Sequence, residues 1–189
     1  MVSGDRLVPT ILYPWARTRD EQQVETLRFL LDMVQNTLPD LWHVRSREMI
    51  KDTDYAKFVK ASLTLYDAPF FIVEQDMIPT RSQMENLQQC IEHVCVIPYR
   101  RRDGKYSIWN TTPAFALEPP FPKHVYGTAL GFIKIDRTAI NAIRNMIQTD
   151  THWSLLDMHI SELLVANRFL IHVHDGEVVH NRTPDDPRG

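Results

Sequence analysis

The chain has 189 residues, enough for one domain with a full hydrophobic core, and its 43% hydrophobic and 24% charged content is ordinary for a globular protein. No apolar run approaches the roughly 18 residues of a membrane span, and the opening residues lack a signal-peptide-like apolar segment, so a cytoplasmic protein with no membrane partner is expected. A net charge of −3 argues against a strong nucleic-acid binder, while leaving room for a local basic patch that guides a polyanion.

Residues 7–13 read as a first strand, closed by Pro14. Thr18-Arg19-Asp20-Glu21 is a capping box opening a helix through Val24, Leu27, Leu31, Val34 and Leu38, which Pro39 stops. A short strand at 41–44 and a helix through Tyr55, Phe58, Val59 and Leu63 follow. Next comes Pro69-Phe70-Phe71-Ile72-Val73-Glu74-Gln75-Asp76, an apolar strand that ends in two carboxylates before Pro79. An uncharged run of this kind needs burial on both faces, as in the middle of an α/β sheet. Thr80-Arg81-Ser82-Gln83 is another capping box, opening a helix over 81–93, and an apolar strand at 94–99 follows. This strand–helix rhythm predicts a mostly parallel, doubly wound sheet with helices on both faces.

The second half is less regular. Asp103-Gly104 marks a hairpin tip, residues 113–122 hold four prolines and read as an irregular loop, and 130–135 read as a strand. Asp136 caps a helix carrying Ile140, Ile143 and Ile147, and another helix covers about 154–167. A hairpin over 170–180, turning at Asp175-Gly176, ends the fold, and 181–189 read as a loose tail. Cys90 and Cys95, with no partner cysteines, make a poor zinc pattern and are expected as buried free thiols.

The chemistry concentrates at a few places. Glu74 and Asp76 are two residues apart, so an extended chain points them to one side, at the carboxyl end of a strand where open α/β sheets bind ligands. Two oxygen donors there suit a hard divalent cation serving a substrate phosphate. Capping the next helix is the plainer role for these acids, but Thr80 and Gln83 already fill it. In the C-terminal hairpin, His172 and His174 would share one face and His180 the other, so the three cannot ligate one ion together. Arg100, Arg101 and Arg102, with Lys105, Tyr106 and Trp109, form a basic hairpin with aromatics that reads either as a solvated turn or as an acceptor contact. Gly127 and Gly131 bracket the start of a strand, where glycine marks a bulge or a close approach of a ligand. Two roles fit Asp157: a general base, or a reciprocal cap with Ser154. The chain has no phosphate-binding loop ending in Lys-Ser/Thr and no Gly-x-Ser-x-Gly elbow, which disfavours P-loop enzymes and α/β-hydrolases.

Taken in order, Glu74–Asp76, Gly127–Gly131, Trp153–Asp157 and His172–His180 resemble the pattern of small, phage-type GT-A glycosyltransferases, with Glu where the first acid is more usually Asp. The resemblance implies a single GT-A-like, Rossmann-like domain over 1–189. Its nucleotide-binding half would cover about 7–100 and its acceptor and sugar half about 101–180. It implies a Mn²⁺ or Mg²⁺ ion held by Asp76 and His180, with His174 as second choice. Glu74, Gln75, Gly127 and Gly131 would contact a nucleotide-sugar donor, and Tyr13 would stack on its base. Asp157 would be the base of an inverting transfer. Arg101, Arg102 and Trp109 would meet an acceptor, such as a hydroxymethylated base in phage DNA. Two other readings share the motif: a catalytically silent GT-A-like binding protein, and a metal-dependent phosphoesterase or nuclease.

Overall fold

The structure is a computed structural model that describes residues 9–15, 28, 31, 43–65, 69–101 and 103–180. In chain order the elements are β1 (Thr10–Trp15), β2 (His43–Glu48), α1 (Asp54–Leu65), β3 (Phe70–Val73), β4 (Met77–Ile78), α2 (Arg81–Gln89), β5 (Val94–Val96), β6 (Ile108–Trp109), a 3-10 turn (Pro113–Phe115), β7 (His124–Val125), β8 (Gly127–Thr128), β9 (Phe132–Ile135), α3 (Arg137–Ile143), α4 (Trp153–Ala166), β10 (Ile171–Val173) and β11 (Val179–His180). Residues 28 and 31 are helical, as expected; the rest of the helix capped at Thr18, together with Arg102 and the tail at 181–189, lies outside the described residues.

Seven strands form the central sheet in the order β2-β1-β3-β9-β5-β10-β7. β1 runs parallel to β2 and β3, and β5 parallel to β10, whereas β9 lies antiparallel between β3 and β5 and β7 is antiparallel at the edge. The sheet is therefore mostly parallel, with one reversed strand at its centre.

All four residues of β3 are buried, which explains why its sequence is continuously apolar rather than alternating. Alternate residues divide between two cores. Leu12, Phe70, Ile72, Val94, Val96, Ile133 and Ile135 face α1, α3 and α4, packing on Phe58, Ile140, Leu156 and Ile160. Ile11, Phe71, Val73, Cys95 and Phe132 face α2 through Met84 and Leu87. Helices thus cover both faces. The caps form as the sequence requires: Thr80 accepts from Gln83 N while the Gln83 side chain accepts from Thr80 N, and Asp136 accepts from Ala139 N. Among the described residues no helix is long and apolar enough to cross a membrane.

Two expectations are corrected. The C-terminal hairpin does not form: β10 pairs with β5 and β7, while β11 crosses to pair antiparallel with β4. Gly176 does turn the chain, at φ +102°, but burial of Val178 and its N–H bond to the Pro98 carbonyl (2.9 Å) draw the returning segment away from β10. Cys90 and Cys95 are joined as a disulfide instead of remaining free, because the irregular turn after α2 folds one sulfur back onto the other.

Candidate functional site

β3 stops at Val73 and the next residues turn, with Met77 N donating to the Glu74 carbonyl (3.0 Å). That turn delivers Glu74, Gln75 and Asp76 to the carboxyl end of the sheet, all half-buried. The β4–β11 ladder then sets the register, placing His180 opposite Met77 and hence beside Asp76. The His180 Nε2 to Asp76 Oδ2 distance is 2.8 Å, and only 8% and 15% of the two side chains is exposed. His174, the second choice for a partner of Asp76, lies instead against His172 at the end of β10.

The other ring nitrogen decides what this pair can hold. His180 Nδ1 is 2.8 Å from the Arg100 carbonyl, which only accepts, so Nδ1 carries the proton. With Nδ1 as a donor, Nε2 either donates a second proton to the carboxylate of Asp76 or shares a cation with it. Adjacent ligands of an octahedral ion with bonds of about 2.1 Å lie about 3 Å apart. A histidine whose far nitrogen donates to a backbone carbonyl is the usual support for a metal ligand. The residues fit a divalent cation.

Glu74 is oriented from the opposite side. Tyr55 of α1 donates its hydroxyl to Glu74 Oε1 (2.8 Å), and Glu74 N donates to the Gly131 carbonyl (2.9 Å). Gly131 N in turn donates to the Tyr99 hydroxyl (3.2 Å), and the Tyr99 ring meets His180 edge-on at 5.4 Å. A Cβ on Gly131 would sit 2.5 Å from that hydroxyl, so the glycine is there for close approach. Gly127 is constrained in the same way: its Cβ would fall 2.0 Å from Trp109 Nε1.

Asp157 projects from α4 toward the same end of the sheet. It does not cap its own helix, because His152 is the N-cap and accepts from Ser154 N. Its Oδ1 accepts from Leu130 N instead (3.3 Å), next to Gly131. Burial pushes its pKa from 3.8 up to about 7, against the opposing pull of the Leu130 N–H and the Arg101 guanidinium. Burial also drives the phenols of Tyr55 and Tyr99 well above their ordinary range, and the carboxylates of Glu74 and Asp157 push both further. Glu74 and Asp76 from one turn and Asp157 from α4 thus share one electrostatic neighbourhood around Tyr99.

The remaining predicted residues are placed differently. Tyr13 is 1% exposed within the core on the α2 side of the sheet. Trp109 is 4% exposed beneath Gly127, which leaves no open ring face for an acceptor. Arg101 is tied to Asp103 Oδ2 and the Pro113 carbonyl, each at 2.9 Å, while its charge reaches Asp157. Tyr55 and Tyr99 are the site residues that sequence reasoning missed. Both sat in apolar patterns and read as core; the signal available was a hydroxyl on an otherwise greasy helix face and at a strand end.

No protein-family model and no curated protein matches the sequence. Solved structures do. A mutant Drosophila β1,4-galactosyltransferase 7 in complex with manganese, UDP-Gal and xylobiose superposes with TM-score 0.64 at 9% identity, covering 94% of this chain and 72% of that one. A197 from STIV gives 0.59 at 13% identity, over 89% and 82%. The inositol-1-phosphate CTP transferase from T. maritima gives 0.54 at 9% identity, over 92% and 87%. At such identities the likeness speaks for architecture alone, and the architecture is that of the GT-A-like glycosyltransferases and nucleotidyltransferases.

Proposed function

We propose that this protein is a divalent-metal-dependent glycosyltransferase that moves a sugar from a nucleotide-sugar donor to an acceptor hydroxyl. The observation that carries the reading is the 2.8 Å approach of His180 Nε2 to Asp76 Oδ2, with Nδ1 committed to a carbonyl. The GT-A-like fold, shared with an enzyme bound to manganese and UDP-Gal, supports it. Asp76 and His180 would hold Mn²⁺, favoured over Mg²⁺ by the mixed carboxylate–imidazole set. Such an ion supplies positive charge for the diphosphate that leaves.

The chain's own residues do the rest. Tyr55 holds Glu74 in place to meet the donor ribose or a water near it. The Leu130–Gly131 backbone, fixed by Asp157, Tyr99 and Glu74, forms a rigid edge along the sugar. The acceptor oxygen attacks the anomeric carbon, its proton passes to Asp157, and the bond from that carbon to the diphosphate oxygen breaks with its electron pair leaving on the diphosphate. A base with a pKa of about 7 suits this work, since it is substantially ionised at neutral pH yet still basic enough to take a proton. Transfer with Asp157 as base inverts the anomeric centre.

The test is a thermal-shift screen of UDP-, GDP- and TDP-sugars, each with and without Mn²⁺, on wild type, Asp76→Ala and His180→Ala. A ligand near 100 times its Kd stabilises the folded state by about 2.7 kcal/mol. A shift that requires nucleotide sugar and metal together, and is absent from both variants, is expected. A cooperative melt with no shift for any donor would sink the reading in favour of a silent fold. Pyrophosphate release from a nucleoside triphosphate and a sugar 1-phosphate would redirect it to nucleotidyl transfer, the activity of the T. maritima neighbour.

A further inference from the structure

One row of side chains across the sheet has no part in sugar transfer. His172 of β10 lies opposite His124 of β7 and beside Cys95 of β5. Residues in register on neighbouring strands share a face, and His174, two residues on from His172, joins them. The His124 and His172 ring centroids are 5.3 Å apart, and those of His172 and His174 are 4.8 Å apart. The turn before β5 carries Glu92 to the same place. One ligand atom each from Glu92, His124 and His172 lie within 4.8 Å of one another, as do those of Cys90, His172 and His174.

One detail sets this cluster apart from a wet surface. His172 Nδ1 and His174 Nε2 are buried atoms without a hydrogen-bond partner, a state that proteins rarely leave uncompensated. The buried ammonium of Lys134 donates to the Cys90 and Glu92 carbonyls, so its protons are directed at backbone, while Lys123 adds a second positive charge near His172.

We propose that Glu92, His124 and His172 bind a zinc ion, a second metal centre that shares no residue with the Asp76–His180 pair. Two imidazoles and a carboxylate are a donor set that suits Zn²⁺, with a fourth position open to water or His174. Cys90 is excluded as a thiolate while it is bonded to Cys95. Tetrahedral bonds of about 2.1 Å put ligand atoms about 3.4 Å apart, so the present spacing closes by small rotations of the half-buried Glu92 and His124. Bound zinc would tie the two-residue edge strand β7 and the turn before β5 to β10.

The experiment uses the full chain with Asp76→Ala, which removes the donor-site ligand, stripped with a chelator and kept free of thiol reductant. Zinc uptake is titrated against a chromophoric indicator, with Co²⁺ substitution as a spectroscopic readout, and a cooperative melt certifies each variant as folded. One equivalent of zinc is expected, weakened at least tenfold by Glu92→Gln and by His124→Ala. No uptake, or uptake unchanged in either variant, would overturn the proposal.

Discussion

Replacing Asp157 by Asn tests the electrostatics of the site without touching its hydrogen-bond pattern, because Asn Oδ1 still accepts from Leu130 N as Asp157 Oδ1 does. The folded-state pKa of Asp157 is raised from 3.8 to about 7, so between those values the folded chain keeps a proton that the unfolded chain has released. Stability therefore falls as pH rises through this window, by about 1.4 kcal/mol per pH unit, and the full penalty is present above pH 7. Carried over the whole shift this is at most about 4 kcal/mol, less the cost of burying the Asn amide. Asp157→Asn is expected to be more stable than wild type by about 2–4 kcal/mol at pH 8, a rise in melting temperature of roughly 5–15 °C for a chain of this size. The gain should shrink to less than half at pH 5 and nearly vanish at pH 4. Urea denaturation of both proteins at pH 8, 6.5 and 5 measures it directly. In the same variant sugar transfer should fall by about 10²–10⁴, because the amide cannot take up the acceptor's proton. A variant less stable than wild type at pH 8, or a gain that does not change with pH, would refute the reasoning.

Other consequences follow from the packing around the site. Gly131→Ala puts a methyl group against the Tyr99 hydroxyl, 2.5 Å from where its Cβ would lie, and should cost about 1–3 kcal/mol by thermal melt while weakening donor binding through the displaced Leu130–Gly131 backbone. Tyr55→Phe removes the donor to Glu74 Oε1 and should destabilise by about 1 kcal/mol; a calorimetric titration should show weaker nucleotide-sugar binding with an unchanged fold. Thr80→Ala breaks the capping box of α2 and should cost about 1 kcal/mol with transfer activity intact, which separates the helix cap from the acids just before it.

The local pattern of the chain carried much of this. Continuous apolar residues at 70–73, ended by Glu74-Gln75-Asp76, specify a strand buried on both faces with acids at its carboxyl end, and that is where β3 and its turn lie. The Thr80 and Asp136 caps were equally legible, because a cap depends on residues three apart in sequence. Asp157 was ambiguous for the same reason: the spacing from Ser154 fits a cap, and only the position of Leu130, brought in by the sheet, assigns the carboxylate elsewhere.

What the chain could not decide locally was which distant segments meet. Asp-Gly at 175–176 favours a two-residue hairpin, yet the burial of Val178 and the ladder with Met77–Ile78 carry β11 away from β10 to a different neighbour. That choice puts His180 rather than His174 on Asp76, across 104 residues of sequence. At the other edge His172 lies beside His124 and Glu92, and His174 beside His172 and Cys90. The sequence by itself determined the main strands and helices, the Thr80 and Asp136 caps and the acids at the end of β3, since these follow from periodicities and hydrogen bonds spanning a few residues. Tertiary structure alone decided the partners of those acids, because strand pairing is selected by burial and backbone hydrogen bonding summed over the whole sheet.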